Sequence, residues 1–280
     1  MCKEAPHFLQ MRRSGNSAYP AMPSAIPIMP KQVPLLAGIS SDDRESLLAL
    51  GHKRSFDRGH LFFIEGDPVR QVYLLVSGYV KLMRLSRAGA EVIVCLNGPG
   101  QFVGALDLFS HGTHRESGAA LRACTVLAWD SAIFHPICKR HPVLQQNVAR
   151  MLSTCLQELQ ERFLELSTEK VNSRLAHQLR RLAVQVGSRS DLGVEIRLSR
   201  AELADMIGTT LFTVSRILCE WEHHGWVSAR REVVLINGEF WKEENFAQIC
   251  ADELLDPTRP AMRSVKTIAT NRRTAPLLAA

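Results

Sequence analysis

The stretch EIRLSRAELADMIGTTLFTVSRILCEWEHHGWVSARREVVLING, residues 195–238, decides how this chain is read. Ser199 and Glu202 stand at the S-x-x-E spacing of a capping box, which starts a helix at Arg200. Leu203, Ala204 and Ile207 give that helix an inward face, and Gly208 ends it where a left-handed residue permits a tight turn. Thr209 or Thr210 then caps a second helix that runs to His223 or His224 and stops at Gly225. Val214, Ile217, Leu218 and Trp221 fall at i, i+3, i+4 and i+7 and form its buried side. Two short helices about a glycine turn are a helix-turn-helix. WVSA and EVVLI, on either side of Arg230 and Arg231, read as a two-stranded wing. Such a unit is suited to laying its second helix in the major groove of double-stranded DNA.

Working outward, a helix is expected over Glu169–Val186, and Gly187, Ser188, Ser190 and Gly193 read as a loop. A longer helix follows Pro142, a favourable first helical residue. Along it Ala149, Leu152, Leu156, Leu159, Phe163 and Leu166 alternate steps of three and four, the signature of a heptad seam. Val148, Met151 and Cys155 make a second apolar stripe. Two stripes need two partners, so one is expected to pack on the domain before it and the other on a second copy of the chain; the alternative is a core helix inside a monomer. From about 52 to 135, short β-branched and aromatic runs alternate with glycines: HLFFIEGDP (60–68), QVYLLVSGYVKLMRLS (71–86), EVIVCLNGPGQFVGA (91–105) and TVLAWD (125–130). That pattern indicates an antiparallel roll. Prolines 20, 23, 27, 30 and 34 mark residues 1–34 as an arm without a core face. The expected organisation is an α+β chain: arm 1–34, roll 35–141, long helix 142–168, winged helix-turn-helix 169–240, and an extension 241–280 with one helix and a disordered end.

Composition narrows the classes. The 280 residues are 46% hydrophobic and 22% charged, ordinary for a globular chain of about two domains. No apolar run reaches the length of a membrane span, and the first residues lack the apolar run of a signal peptide. Seven cysteines, an odd number with no C-x-x-C, fit reduced thiols in the cytoplasm and no structural metal site. The net charge of +6 is a weak pointer to nucleic acid, because it is spread as +3 over 1–40, zero over 41–169, +1 over 170–250 and +2 over 251–280. No nucleophile elbow, P-loop, H-E-x-x-H or dinucleotide fingerprint is present, so no catalytic residues are expected.

Roll, long helix and winged helix-turn-helix, in this order, resemble the Crp/Fnr family of bacterial transcription regulators. LFFIEGDPVRQVYLLVSGYVKL, GQFVGALDLF and LADMIGTTLFTVSRIL each resemble family segments, and the likeness covers about residues 35–240. It implies a homodimer with a cyclic-nucleotide-binding-like roll, a dimer helix whose seam is Leu152, Leu156, Leu159, Phe163 and Leu166, and a domain that reads a palindrome. It also implies that Thr209, Thr210 and Thr213 grip phosphates, and that Leu211, Phe212, Ser215 and Arg216 face the bases, with Arg230 and Arg231 on the wing. Arg216 matches the family's most constant base reader, and Ser215 the serine of the Fnr branch. Phe212 departs from the common glutamate; it can cover a thymine methyl but accepts no hydrogen bond from cytosine. RNA polymerase is a further implied partner if the protein activates; repression is equally compatible.

The same resemblance locates an effector pocket at Gly104, Ala105, Leu106, Arg115, Glu116, Ser117, Leu159 and Gln160. Arg115 aligns with the arginine that pairs with a cyclic phosphate. Ala105 stands where the ribose-binding glutamate belongs, and Glu116 where a hydroxyl belongs; Glu116 would repel a phosphate and is placed to pair with Arg115. Leu159 and Gln160 replace the Thr-Ser pair that touches adenine. Cyclic AMP is therefore not expected. An iron–sulfur cluster of the Fnr kind is not expected either, because Cys2 is the one cysteine near the N-terminus. His60, His111, His114, His135 and Cys95 keep haem open, and a redox-sensitive cysteine is also open. The alternative to a DNA-binding regulator is a nucleotide-sensing module that acts by protein contact.

Overall fold

The computed structural model describes residues 33–109 and 112–251; the expected arm, the expected disordered end, Cys2 and His111 lie outside them in whole or nearly so. A single 3₁₀ turn at Pro34–Leu36 leads into α1 (Ser41–Ala49), capped by Ser40, whose hydroxyl accepts from the Asp43 amide at 3.2 Å. The roll then forms from β1 (His52–Phe56), β2 (Leu61–Phe63), β3 (Gln71–Ser77), β4 (Val80–Leu85), β5 (Glu91–Asn97), β6 (Phe102–Val103), the short helix α2 (Ala105–Leu108), β7 (Ser117–Ala120) and β8 (Cys124–Asp130). These strands make two four-stranded antiparallel sheets, ordered β1-β8-β3-β6 and β2-β7-β4-β5. Alternation decides which side chains enter: Tyr73, Leu75, Val80, Val126 and Ala128 fill the space between the sheets.

The other face of the first sheet is covered by helices. α3 (Ser131–Arg140) follows β8 directly and carries Pro136 inside it. Proline there removes one helical hydrogen bond, which hides the helix from a sequence reading. The burial of Phe134, Ile137 and Cys138 offsets the loss. Trp129 is the centre of this layer. It lies within 5.7 Å, centroid to centroid, of both Phe102 and Phe134, and its indole N–H donates to the Leu47 carbonyl at 2.9 Å.

α4 (Pro142–Thr168) is 27 residues long. Its first turns bury Leu144 and Val148 on the Trp129 layer, and buried Asn147 donates to the carbonyls of Leu35 and Ala37 at 2.9 and 2.7 Å. α5 (Val171–Gln185) turns back after it, tied by a two-pronged ion pair from Arg181 to Glu165 at 2.6 and 2.8 Å. The segment read as a loop is instead a hairpin, β9 (Ser188–Ser190) and β10 (Gly193–Ile196). Its serines gave no apolar alternation; pairing of Val194 with Ile236 holds it in place.

The rest is α6 (Arg200–Ile207), α7 (Leu211–His223), β11 (Val227–Arg230), β12 (Val233–Ile236) and α8 (Glu243–Ala251). The wing strands extend the hairpin into a sheet ordered β11-β12-β10-β9. The chain is thus α+β: antiparallel sheets, then a long helix, then a helix-turn-helix with its wing. Replacing Trp129 with alanine should cost about 3–5 kcal/mol of unfolding free energy, read as a lower urea midpoint at unchanged slope.

Candidate nucleic-acid interface

The helix-turn-helix is built by its caps. The Ser199 hydroxyl accepts from the Glu202 amide at 3.2 Å, and the Glu202 carboxylate accepts from the Ser199 amide at 2.7 Å, so both halves of the capping box are present. Gly208 closes α6 in the left-handed region at φ +66°, where a β-carbon would be strained. Of the two candidate threonines, Thr210 is the N-cap of α7: its hydroxyl accepts from the Thr213 amide at 3.2 Å and lies 3.0 Å from the Thr213 hydroxyl. Val214, Ile217, Leu218 and Trp221 are buried as their spacing requires.

Their burial leaves the opposite face of α7 to solvent. Leu211, Phe212 and Arg216 are exposed and Ser215 half-exposed, all on that face. Phe212 is 82% exposed, an unusual cost for an aromatic side chain unless something covers it. Thr209 and Thr213 are half-exposed and Thr210 exposed beside them. Arg230 ends β11, and Arg231 follows in the wing turn; both are exposed. Arg200 donates to the Ala229 carbonyl at 3.4 Å and so links α6 to the wing.

The roll touches this unit. The guanidinium of Arg58, in the β1–β2 turn, reaches Glu232 of the wing turn at 2.9 Å and Glu202 at 3.9 Å. Arg122 donates to the Arg197 carbonyl. Sequence reasoning missed both contacts, since nothing local pairs residues so far apart in the chain.

The seam residues Leu152, Leu156, Leu159, Phe163 and Leu166 are 41–70% exposed along one side of α4. Of the second stripe, Val148 is buried and Met151 half-buried against the Trp129 layer, whereas Cys155 stands clear of it.

In the roll, Ala105 is buried and Leu106 half-buried on α2, which Gly104 opens at φ +80°. The hydrogen-bonded partner of Arg115 is Asp107, whereas Glu116 beside it feels the arginine only through space. The Arg115 Nε donates to Asp107 Oδ1 at 3.1 Å, and His114 Nδ1 lies 3.3 Å from the other oxygen. Burial favours the neutral acid at Asp107, but the hydrogen bonds from His114 and Arg115 prevail and hold it below the usual carboxylate range. Glu116 is pushed upward, by burial first and by Asp107 second. Asp107 was overlooked because it lies in an apolar run, GALDLF, eight residues before the arginine it holds.

Leu159 and Gln160 are exposed on α4 and Ser117 begins β7, with its hydroxyl accepting from the Glu65 amide at 3.0 Å. Two clefts among the described residues, one of about 550 Å³ beside Phe62, Tyr73 and His114 and one of about 580 Å³ beside Arg122, Arg197 and Arg230, are lined by neither Ala105 nor Arg115.

Of the histidines that kept haem open, three have aromatic neighbours: His60 stacks on Phe56, His114 on Phe63, and His135 stands edge-on to Phe109. No group of three or more metal-binding side chains occurs among the described residues. Burial pushes the thiols of Cys95, Cys124 and Cys138 up to about 12, 11 and 12, which makes them poor nucleophiles. No helix among the described residues is long and apolar enough to cross a membrane.

Replacing Ser199 with alanine removes one half of the capping box and should lower stability by about 1 kcal/mol in denaturant unfolding.

Comparison with known proteins agrees with this architecture. The cyclic nucleotide-binding domain family matches residues 53–141, and the Crp-like helix-turn-helix domain family matches residues 173–239. The Cyclic AMP receptor protein of Thermus thermophilus is 30% identical over 184 residues, covering 66% of this chain and 83% of that protein. The CRP-like cAMP-activated global transcriptional regulator of Mycobacterium tuberculosis is 28% identical over 184 residues, 65% of this chain and 82% of its own. Among solved structures, the c-di-GMP responsive global regulator CLP of Xanthomonas campestris superposes with a TM-score of 0.63 at 23% identity, over 71% of this chain and all of that one. With both domain families matched in order and a relative of this identity and coverage, the chain belongs to the Crp/Fnr family of transcription regulators.

Proposed function

We propose that two copies of this chain pair through the α4 seam and set their α7 helices in successive major grooves of a palindromic operator, with the roll as the sensor. The observation that carries this reading is the outer face of α7, where Leu211, Phe212 and Arg216 are exposed and Ser215 half-exposed, opposite the side buried in the domain's core. Half-sites one helical turn apart, about 34–36 Å, would receive the two helices. Arg216 is assigned to guanine, whose O6 and N7 match the guanidinium fork. Phe212 and Leu211 are assigned to thymine methyl groups, and Ser215 to a neighbouring base edge. Thr209, Thr210 and Thr213 are assigned to backbone phosphates, with Arg230 and Arg231 reaching the flanking backbone from the wing.

The relatives named for cyclic AMP do not pass that ligand to this chain. Ala105 offers no acceptor for a ribose hydroxyl, Glu116 adds an acid, and Leu159 and Gln160 replace the adenine-touching pair. The effector is a different molecule, and its binding would act by favouring one arrangement of the paired α4 helices over another. Work on DNA fits a cytoplasmic protein. An activator would also meet RNA polymerase through exposed loops of the roll, whereas a repressor needs only to occupy its operator.

Arg216→Ala should remove about 1–3 kcal/mol of preference for the half-site guanine while leaving affinity for unrelated DNA nearly unchanged. Competition gel shifts at fixed salt measure this, and equal operator binding by both proteins would falsify the assignment. Leu156→Glu should convert the dimer to a monomer in sedimentation at micromolar concentration and abolish operator binding with it. A variant that sediments as a dimer would remove the seam from the reading.

A further inference from the structure

Arg115 already has an anion. The carboxylate of Asp107 occupies its Nε at 3.1 Å, and that carboxylate is fixed from the other side by His114 at 3.3 Å. His114 is itself immobilised: it is 4% exposed and lies flat on Phe63, with ring centroids 3.6 Å apart and planes within 7°. Gly104 completes the fit, since a β-carbon there would stand 3.2 Å from His114 Cε1. Asp107 is buried while Arg115 is exposed, so the chain supplies the buried partner and solvent reaches mainly the arginine.

The surrounding charges point the same way. Arg84 is paired with Glu65 at 2.8 Å, and Lys81 with Glu91. Glu116, half-buried and facing Asp107, Arg115, Arg84 and Glu65, is then a surplus acid. An arriving phosphate would have to displace a carboxylate held on two sides and would meet a second carboxyl beside it.

We propose that Asp107 is the specificity-determining residue of the roll: its carboxylate is the resident counter-ion of Arg115, and the roll therefore admits an uncharged or cationic effector and refuses one that carries a phosphate. The inference rests on the roll being the effector-binding half of the regulator. Its test reads anion binding and not DNA binding, so the two stand or fall separately.

The probe is inorganic phosphate, compared with chloride at equal ionic strength in thermal unfolding of the full chain. The wild type should melt at the same temperature in both. Asp107→Asn keeps the size of the side chain, removes its charge and frees Arg115. It should gain a phosphate-dependent rise in Tm of about 3 °C at saturation. Asp107→Asn combined with Arg115→Gln should lose that gain. Glu116→Ser alone should gain nothing, because Asp107 still holds the arginine. In calorimetry, Asp107→Asn with Glu116→Ser should bind cyclic AMP at least about tenfold more tightly than the wild type. A wild type stabilised by phosphate as much as Asp107→Asn would overturn the proposal. So would a folded Asp107→Asn with no phosphate response, or a response in Glu116→Ser alone.

Discussion

The 27-residue helix α4 carries more apolar surface than its own chain covers. Its first turns are spent on the roll, where Leu144 and Val148 are buried and Asn147 ties the helix to the turn before α1. Further along, Arg162 donates to the Val94 carbonyl at 2.6 Å, and Glu165 is gripped by Arg181. These polar ties set the rotation of the helix about its axis. Once rotation is set, Leu152, Leu156, Leu159 and Phe163 have only one direction to face. The position of the reading head follows, because α5 starts within three residues of the end of α4 and carries the winged unit with it.

The features legible in the sequence were those with a local physical cause. The capping box at Ser199, the glycine stop at Gly208 and the buried stripe of α7 each depend on residues within a turn or two, and each is present as read. The hairpin β9–β10 was not legible, because Ser188 and Ser190 carry no apolar pattern and the strand exists through pairing with the distant wing. α3 was obscured by Pro136, whose cost is offset only by tertiary burial.

At the roll, the family resemblance indicated a charge conflict around Arg115 and pointed to Glu116, whereas the acid that hydrogen-bonds the arginine is Asp107. Glu116 is the neighbour in sequence, yet adjacent residues project in different directions. Asp107 reaches Arg115 because Gly104 turns the chain and α2 carries the carboxylate back under the arginine. The same logic explains why +6 says little about DNA. The charges that matter are few, and the fold places them, while the excess lies toward the two ends of the chain.

The roll and the reading head also share one apolar cluster. Ile93, Leu96 and Leu121 from the roll belong to the same buried group as Leu203, Ile207 and Trp221 from the winged unit, with Ile249 of α8 sealing it. Neither half could separate from the other without wetting part of this group, and the ion pair of Arg58 with Glu232 would break in the same event. The two halves therefore share one buried interior. A fragment cut at the family boundary after residue 239 would lose α8 and Phe240, and with them the lid on that common interior. In this chain Phe240 and Ile249, beyond the family match, belong to the same interior as the reading head.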